Sequence, residues 1–171
     1  MTNYENMKAE FIVTHKPMMG SGLYSMYFKL TDSIGVKVLK QKTLSAAYCE
    51  AMAEYKLLKQ AEPSGVSPKP IGVFKVIVKV SGENVERFGI VMSHCGNTTL
   101  TDYCYDKGIS SMDVRFKGFN LSRYCQEKMD AVGIDIGDRH GGNITLDVDN
   151  DGEIKAVYCI DFSPDYTYAP A

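Results

Sequence analysis

Gly137-Asp138-Arg139-His140-Gly141-Gly142-Asn143, followed by Ile160-Asp161-Phe162, is the part of the chain on which the fold reading turns. Asp138 stands five residues before Asn143, and Asp161 closes the second of two alternating segments downstream. A carboxylate at the end of an apolar strand is costly to bury unless it meets a cation or hydrogen-bond donors. Val157-Tyr158-Cys159-Ile160 is such a strand, so Asp161 reads as an oxygen ligand for Mg²⁺. Asn143 would supply a neutral oxygen to the same ion. Asp138 would accept or orient a hydroxyl proton, with His140 as the competing base or as the group that orients Asp138. Arg139 would neutralise phosphate charge. The plainer alternative is a loop of Asx turns. Against it, Asp161 recurs where a second metal ligand is needed.

Outward from this centre, Ile144–Val148 and Ala156–Ile160 alternate as a strand pair around Asp149-Asn150-Asp151-Gly152. Asp147–Gly152 begins like an EF-hand loop, but position twelve is Tyr158 rather than a bidentate glutamate. A polar hairpin turn accounts for the same residues. Upstream, helices are predicted near Leu121–Val132 and over Leu100–Asp106, with a loop at Gly108-Ile109-Ser110-Ser111 between them. Cys95-Gly96-Asn97 breaks the pattern, and the boundary between two lobes is placed there, 1–92 and 93–171.

The first half supplies a matching set. Residues 10–40 read as strand, turn, strand, then a third strand through Ile34–Leu39. Gly20-Ser21-Gly22-Leu23-Tyr24-Ser25 interrupts them in the form GxGxxS, which lets backbone N–H groups approach phosphate closely. Met26–Leu30 reads as strand, so the helix that a dinucleotide fingerprint requires is missing. Lys37 lies between Val36 and Val38; it is either on a solvated strand face or paired with phosphates and a helical carboxylate. The helix Leu44–Gln60, rich in alanine, offers Glu54 for that carboxylate, with Glu50 one turn earlier in reserve. Glu62-Pro63-Ser64-Gly65 ends it, and strands follow at Ile71–Val80 and Phe88–Met92, joined by Ser81-Gly82-Glu83-Asn84.

Composition narrows the function classes. The chain has 171 residues, 44% of them hydrophobic, enough for a packed core in one domain or two small lobes. A net charge of -2 and no Lys/Arg block leave no footprint for nucleic acid. No apolar run reaches membrane-spanning length. The polar, acidic start Met1–Asn6 does not read as a secretory signal. Five dispersed cysteines without a CxxC pair predict reduced thiols in a cytoplasmic setting and no zinc site.

In order along the chain, these residues resemble the protein-kinase-like superfamily. Gly20, Ser21, Gly22 and Ser25 resemble the glycine-rich loop, Lys37 the phosphate-pairing lysine and Glu54 its helical partner. Val66–Gly72 resembles the segment that leads from that helix back into the sheet, and Ile90–Gly96 the last strand and hinge. The resemblance implies Met92 as gatekeeper and backbone from Ser93 to Cys95 against adenine. The catalytic loop is similar to GDxHxGN of aminoglycoside and choline kinases, and equally to DRHxxN of phosphoinositide and HipA-type kinases, where the histidine has a catalytic role. Serine replaces the last glycine of the DFG-like triplet at Asp161-Phe162-Ser163, which keeps the metal ligand. After Asp161 there is no room for an activation segment or substrate platform. Minimal kinases of this kind occur among bacterial effectors acting in the host cytoplasm, where a partner protein completes the fold.

The expectation is therefore an α+β, bilobal kinase-like fold with an antiparallel-sheet N-lobe and a truncated, mainly helical C-lobe. ATP and Mg²⁺ would lie in the cleft, and the γ-phosphoryl group would pass to a hydroxyl, chiefly of protein Ser/Thr. A protein substrate, an activating partner or a second copy covering the short C-lobe is expected. The rivals are a pseudokinase that acts by binding a partner, and a small-molecule kinase.

Overall fold

The structure is a computed structural model that describes residues 7–41, 43–135 and 140–161. It is mixed α+β, with a mostly antiparallel main sheet and three α-helices among the described residues. The chain divides into two compact units. The first takes in the chain to Lys56 together with Lys69–His94; the second takes in Leu57–Pro68 and everything from Cys95 onward.

The first unit is built on a six-stranded sheet. Its strands are β1 (Phe11–Ile12), β2 (Met18–Ser21), β3 (Ser25–Lys29), β4 (Ile34–Leu39), β5 (Pro70–Val80) and β6 (Glu83–Ser93), in the order β1-β5-β6-β4-β3-β2. All neighbours are antiparallel except β1, which runs parallel to β5 with Phe11 opposite Val76. Alternation sorts the side chains. Val36 and Val38 of β4 join Val13, Phe28, Val76, Val78 and Val91 in one apolar cluster. The intervening Lys37 points to the other face, toward α1 (Leu44–Ala61), which buries Ala47, Ala51 and Glu54 there. Tyr48 of α1 packs edge-on against Phe88 of β6 at 5.0 Å.

Strand β6 starts five residues before the expected Phe88 and pairs with β5 down to Val80–Glu83. The reason is the turn. Ser81 and Gly82 take φ of 52° and 90°, a two-residue connection whose twist suits the flanking strands, so pairing continues to its edge.

In the second unit, Thr99 caps α2 (Leu100–Lys107) by accepting the Asp102 N–H at 3.0 Å, and Asn120 caps α3 (Leu121–Asp130) from Arg123 N–H at 3.1 Å. Strand β7 (Thr98–Thr99) joins β10 (Ile144–Val148) and β11 (Ile154–Cys159) in a three-stranded sheet, and β8 (Arg115–Phe116) pairs with β9 (Phe119–Asn120). Leu100, Leu121, Cys125, Met129, Leu146 and Cys159 are fully buried in its core. The Asp147–Gly152 stretch is a hairpin turn. Asp149 Oδ1 accepts from the Asp151 and Glu153 N–H groups at 3.0 and 2.9 Å, and its Oδ2 meets Lys155 at 2.9 Å. The Lys155 ammonium beside it holds this carboxyl below the usual carboxylate range. No helix among the described residues is long and apolar enough to cross a membrane.

Candidate functional site

The first unit brings Lys37 and Glu54 together. Lys37 is the fourth residue of β4, flanked by strand partners Tyr27 and Ile90. Its Nζ donates to Glu54 Oε1 at 2.7 Å, with the side chains only 13% and 4% exposed. Burying two charges is tolerated when they meet at this distance. Glu50, one turn earlier on α1, accepts instead from Gln41.

Gly20 and Ser21 close β2, Gly22 lies in the turn and Ser25 opens β3. Gly22 N–H donates to the Ser25 carbonyl at 3.0 Å. A Cβ on Gly20 or Gly22 would meet nothing within 4 Å, and neither has positive φ. Nothing inside the fold therefore demands glycine at these positions. Lys40 is a functional candidate that the sequence reading missed. Its Nζ donates to Ser21 Oγ at 2.8 Å and to the Gly22 carbonyl, tying the turn to the end of β4. The register that sets Ser25 opposite Leu39 puts Lys40 within reach, so correct strand pairing is the signal that would have found it.

Met92 is buried on β6 opposite Gly35. The Ser93 N–H donates to the Lys69 carbonyl at 2.9 Å, Ser93 Oγ accepts from Lys69 N–H at 2.8 Å, and His94 N–H donates to the Ser33 carbonyl at 2.9 Å.

The second unit brings Asn143 and Asp161 to one end of the β10–β11 hairpin. Ile144 pairs with Cys159, and the Ile160 N–H donates to the Asn143 carbonyl at 2.8 Å. Asn143 is largely buried, whereas Asp161 is exposed with φ of 70°, a left-handed conformation that non-glycine residues adopt at a cost. In the same unit, the Cys95 carbonyl accepts from Thr145 Oγ1 at 3.1 Å.

His140 caps the single 3₁₀ turn Gly141–Asn143. Its Nδ1 accepts the Gly142 N–H at 3.1 Å, and its carbonyl accepts the Asn143 N–H at 2.9 Å. With Nδ1 accepting, the ring proton of neutral His140 sits on Nε2, which makes that nitrogen a donor. A Cβ on Gly142 would lie 2.8 Å from the His140 ring, so this cap requires glycine there. Asp138, with Gly137, Arg139, Phe162 and Ser163, lies outside the described residues.

Among the described residues no three His, Cys, Asp or Glu side chains gather as a metal-holding group. The Asn143 amide and the Asp161 carboxylate each carry a hard oxygen, the donor type that Mg²⁺ takes beside substrate phosphates. All five cysteines are free, with Cys125 and Cys159 buried together. The hydrogen bond from Cys125, with burial, pushes the Cys159 thiol above its usual range.

Compared with models of known protein families and with curated proteins, the chain matches none.

Proposed function

We propose that this chain is a minimal kinase-like phosphotransferase, dependent on ATP and Mg²⁺, that moves a γ-phosphoryl group to a hydroxyl. The observation that carries the reading is the 2.7 Å pair of Lys37 and Glu54. A lysine inside an apolar strand, held by a helical carboxylate, is a rigid cationic clamp for the α- and β-phosphates. The glycines of the Gly20–Ser25 turn leave space that a Cβ would fill, which suits close approach of backbone to phosphate.

ATP would supply the transferable phosphoryl group, and Mg²⁺ would neutralise charge on it. Asn143 and Asp161 would hold the ion. Asp138 would orient or deprotonate the acceptor hydroxyl. The cap made by His140 leaves Nε2 as a donor, so His140 acts in this scheme by shaping the loop and donating a hydrogen bond. Protein Ser/Thr is the favoured acceptor, and a small-molecule hydroxyl is the alternative. Most of the rate gain would come from positioning and charge stabilisation.

A second reading is a pseudokinase that works by binding a partner. Tyr105, Ile109, Met112 and Phe119 of the second unit are exposed apolar side chains, which favours it.

The test is transfer of labelled γ-phosphate from Mg·ATP, in buffer and in lysate, with wild type and Asp138→Ala. Label on the protein or a lysate component that is lost in the variant is the expected result. Absence of transfer by a folded wild-type sample in both settings would move the function to the binding module.

A further inference from the structure

The face of β4 that carries Lys37 is not open along its length. Gly35 precedes Lys37 by two residues, so both project to the same side, about 7 Å apart along the strand. A Cβ placed on Gly35 would lie 1.9 Å from the Tyr27 hydroxyl oxygen and 2.4 Å from its ring carbon Cζ. The Tyr27 ring therefore rests directly on the Gly35 backbone. Its cross-strand partner is Lys37, yet the ring leans along β4 toward His94. Tyr27 Oη and His94 Nδ1 share a 3.0 Å hydrogen bond, and the two rings stack with centroids 5.8 Å apart at 18°. Glycine supplies the seat and His94 fixes the tip.

The position of that seat matters on the nucleotide reading above, on which this inference rests. There Lys37 holds phosphates and the backbone from Ser93 meets the base. The β4–β6 register pairs Gly35 with Met92 and Ile34 with Ser93. The surface between the two landmarks is thus the backbone at Gly35, and the Tyr27 ring covers it.

We propose that Tyr27 is an intrinsic plug of the purine site. The ring must turn off Gly35 and release His94 before a purine nucleoside can lie on β4. The base then takes over the aromatic contact with the Gly35 backbone that the phenol makes. The chain as folded is self-blocked, and nucleotide affinity is set by the cost of moving one side chain.

Calorimetric binding of Mg·ATP and of adenosine to the whole chain tests this, with wild type, Tyr27→Val, Tyr27→Phe and Lys37→Met. Tyr27→Val is expected to bind both ligands at least tenfold more tightly than wild type. Tyr27→Phe, which keeps the ring and loses the hydrogen bond, is expected to gain less. Lys37→Met is expected to weaken ATP and leave adenosine unchanged. Equal or weaker binding by Tyr27→Val, beside Lys37-dependent ATP binding by wild type, overturns the plug and leaves the nucleotide reading standing. No binding of either ligand by any variant, with native circular dichroism and cooperative melting, overturns both. Should Tyr27→Val not fold, Tyr27→Phe decides, and unchanged affinity in it overturns the plug.

Discussion

Replacing Glu54 by leucine removes one half of a nearly dry ion pair and leaves the rest of α1 in place. The Glu54 side chain is 4% exposed and that of Lys37 13%. Deleting one partner of a buried pair costs about 3–5 kcal/mol, because the other charge stays behind in a poor solvent. Lys37 keeps a little contact with water, which brings the expectation for Glu54→Leu to about 3 kcal/mol, the low end of that range. Lys37→Met takes the lysine from the more deeply buried carboxylate and should cost at least as much. The double variant replaces both charges with apolar groups of similar length and should fall within about 1 kcal/mol of wild type. The coupling energy of the cycle, the double less the two singles, is then at least about 5 kcal/mol in magnitude. Urea unfolding followed by circular dichroism suits a chain with no tryptophan. At an m-value of about 2 kcal/mol/M, Glu54→Leu lowers the midpoint by about 1.5 M. Single variants within about 0.5 kcal/mol of wild type, the range of ordinary surface substitutions, would refute the claim that this pair is structurally buried. So would a double variant as unstable as the sum of the singles.

Two further outcomes follow from the second unit. Burial, and then the Asp147 carboxylate that accepts its hydroxyl at 3.2 Å, push the Tyr158 phenol up to about 12. The folded state therefore holds this proton longer than the unfolded chain. The stabilisation is fully present below the ordinary tyrosine value of 10.0 and is lost as pH rises through about 12. Absorbance titration of the tyrosinates should show a late component that Tyr158→Phe abolishes; complete titration of the folded wild type by the ordinary value would contradict it. Alkylation without denaturant should label exposed Cys49 and spare Cys125 and Cys159, which react only after unfolding. Labelling of Cys159 at the rate of Cys49, read by peptide mass, would show that the core of the second unit opens readily.

The larger elements were legible because each carries its own period. Leu44–Gln60 has alanines and a helical apolar stripe, and the helix runs Leu44–Ala61. Ile144–Val148 alternates around an Asp/Asn/Gly turn, and the hairpin forms there. The Lys37–Glu54 pairing was legible as one of two readings, since a lysine in an apolar strand sits on a solvated face or meets a carboxylate, and α1 offered Glu54 and Glu50. What local pattern could not show are contacts set by strand order. That β1 lies parallel beside β5 depends on how the sheet is arranged, not on Phe11 or Ile12. Tyr27 over Gly35 is a diagonal contact across a strand pair, and in sequence it looks like an aromatic residue and a small one eight positions apart. Lys40 is similar: its role appears only once β3 and β4 are in register. The helix ending at Asp130 rather than Val132 reflects turns at Val132 and Gly133, whose N–H groups bond back to Met129 and Asp130.

Strand β2 has one neighbour, β3, and all four of its residues are exposed. It therefore contributes nothing to the apolar cluster of the sheet. Detaching it breaks a few backbone hydrogen bonds and the Lys40 contacts but removes no residue of that cluster, so it belongs to the low-energy end of the local opening spectrum. Its amides should exchange with solvent on a clock separate from global unfolding. The segment bearing Gly20 and Ser21 can thus rearrange around a guest without loosening the core that positions Lys37, and adaptability and rigidity are assigned to different strands of one sheet.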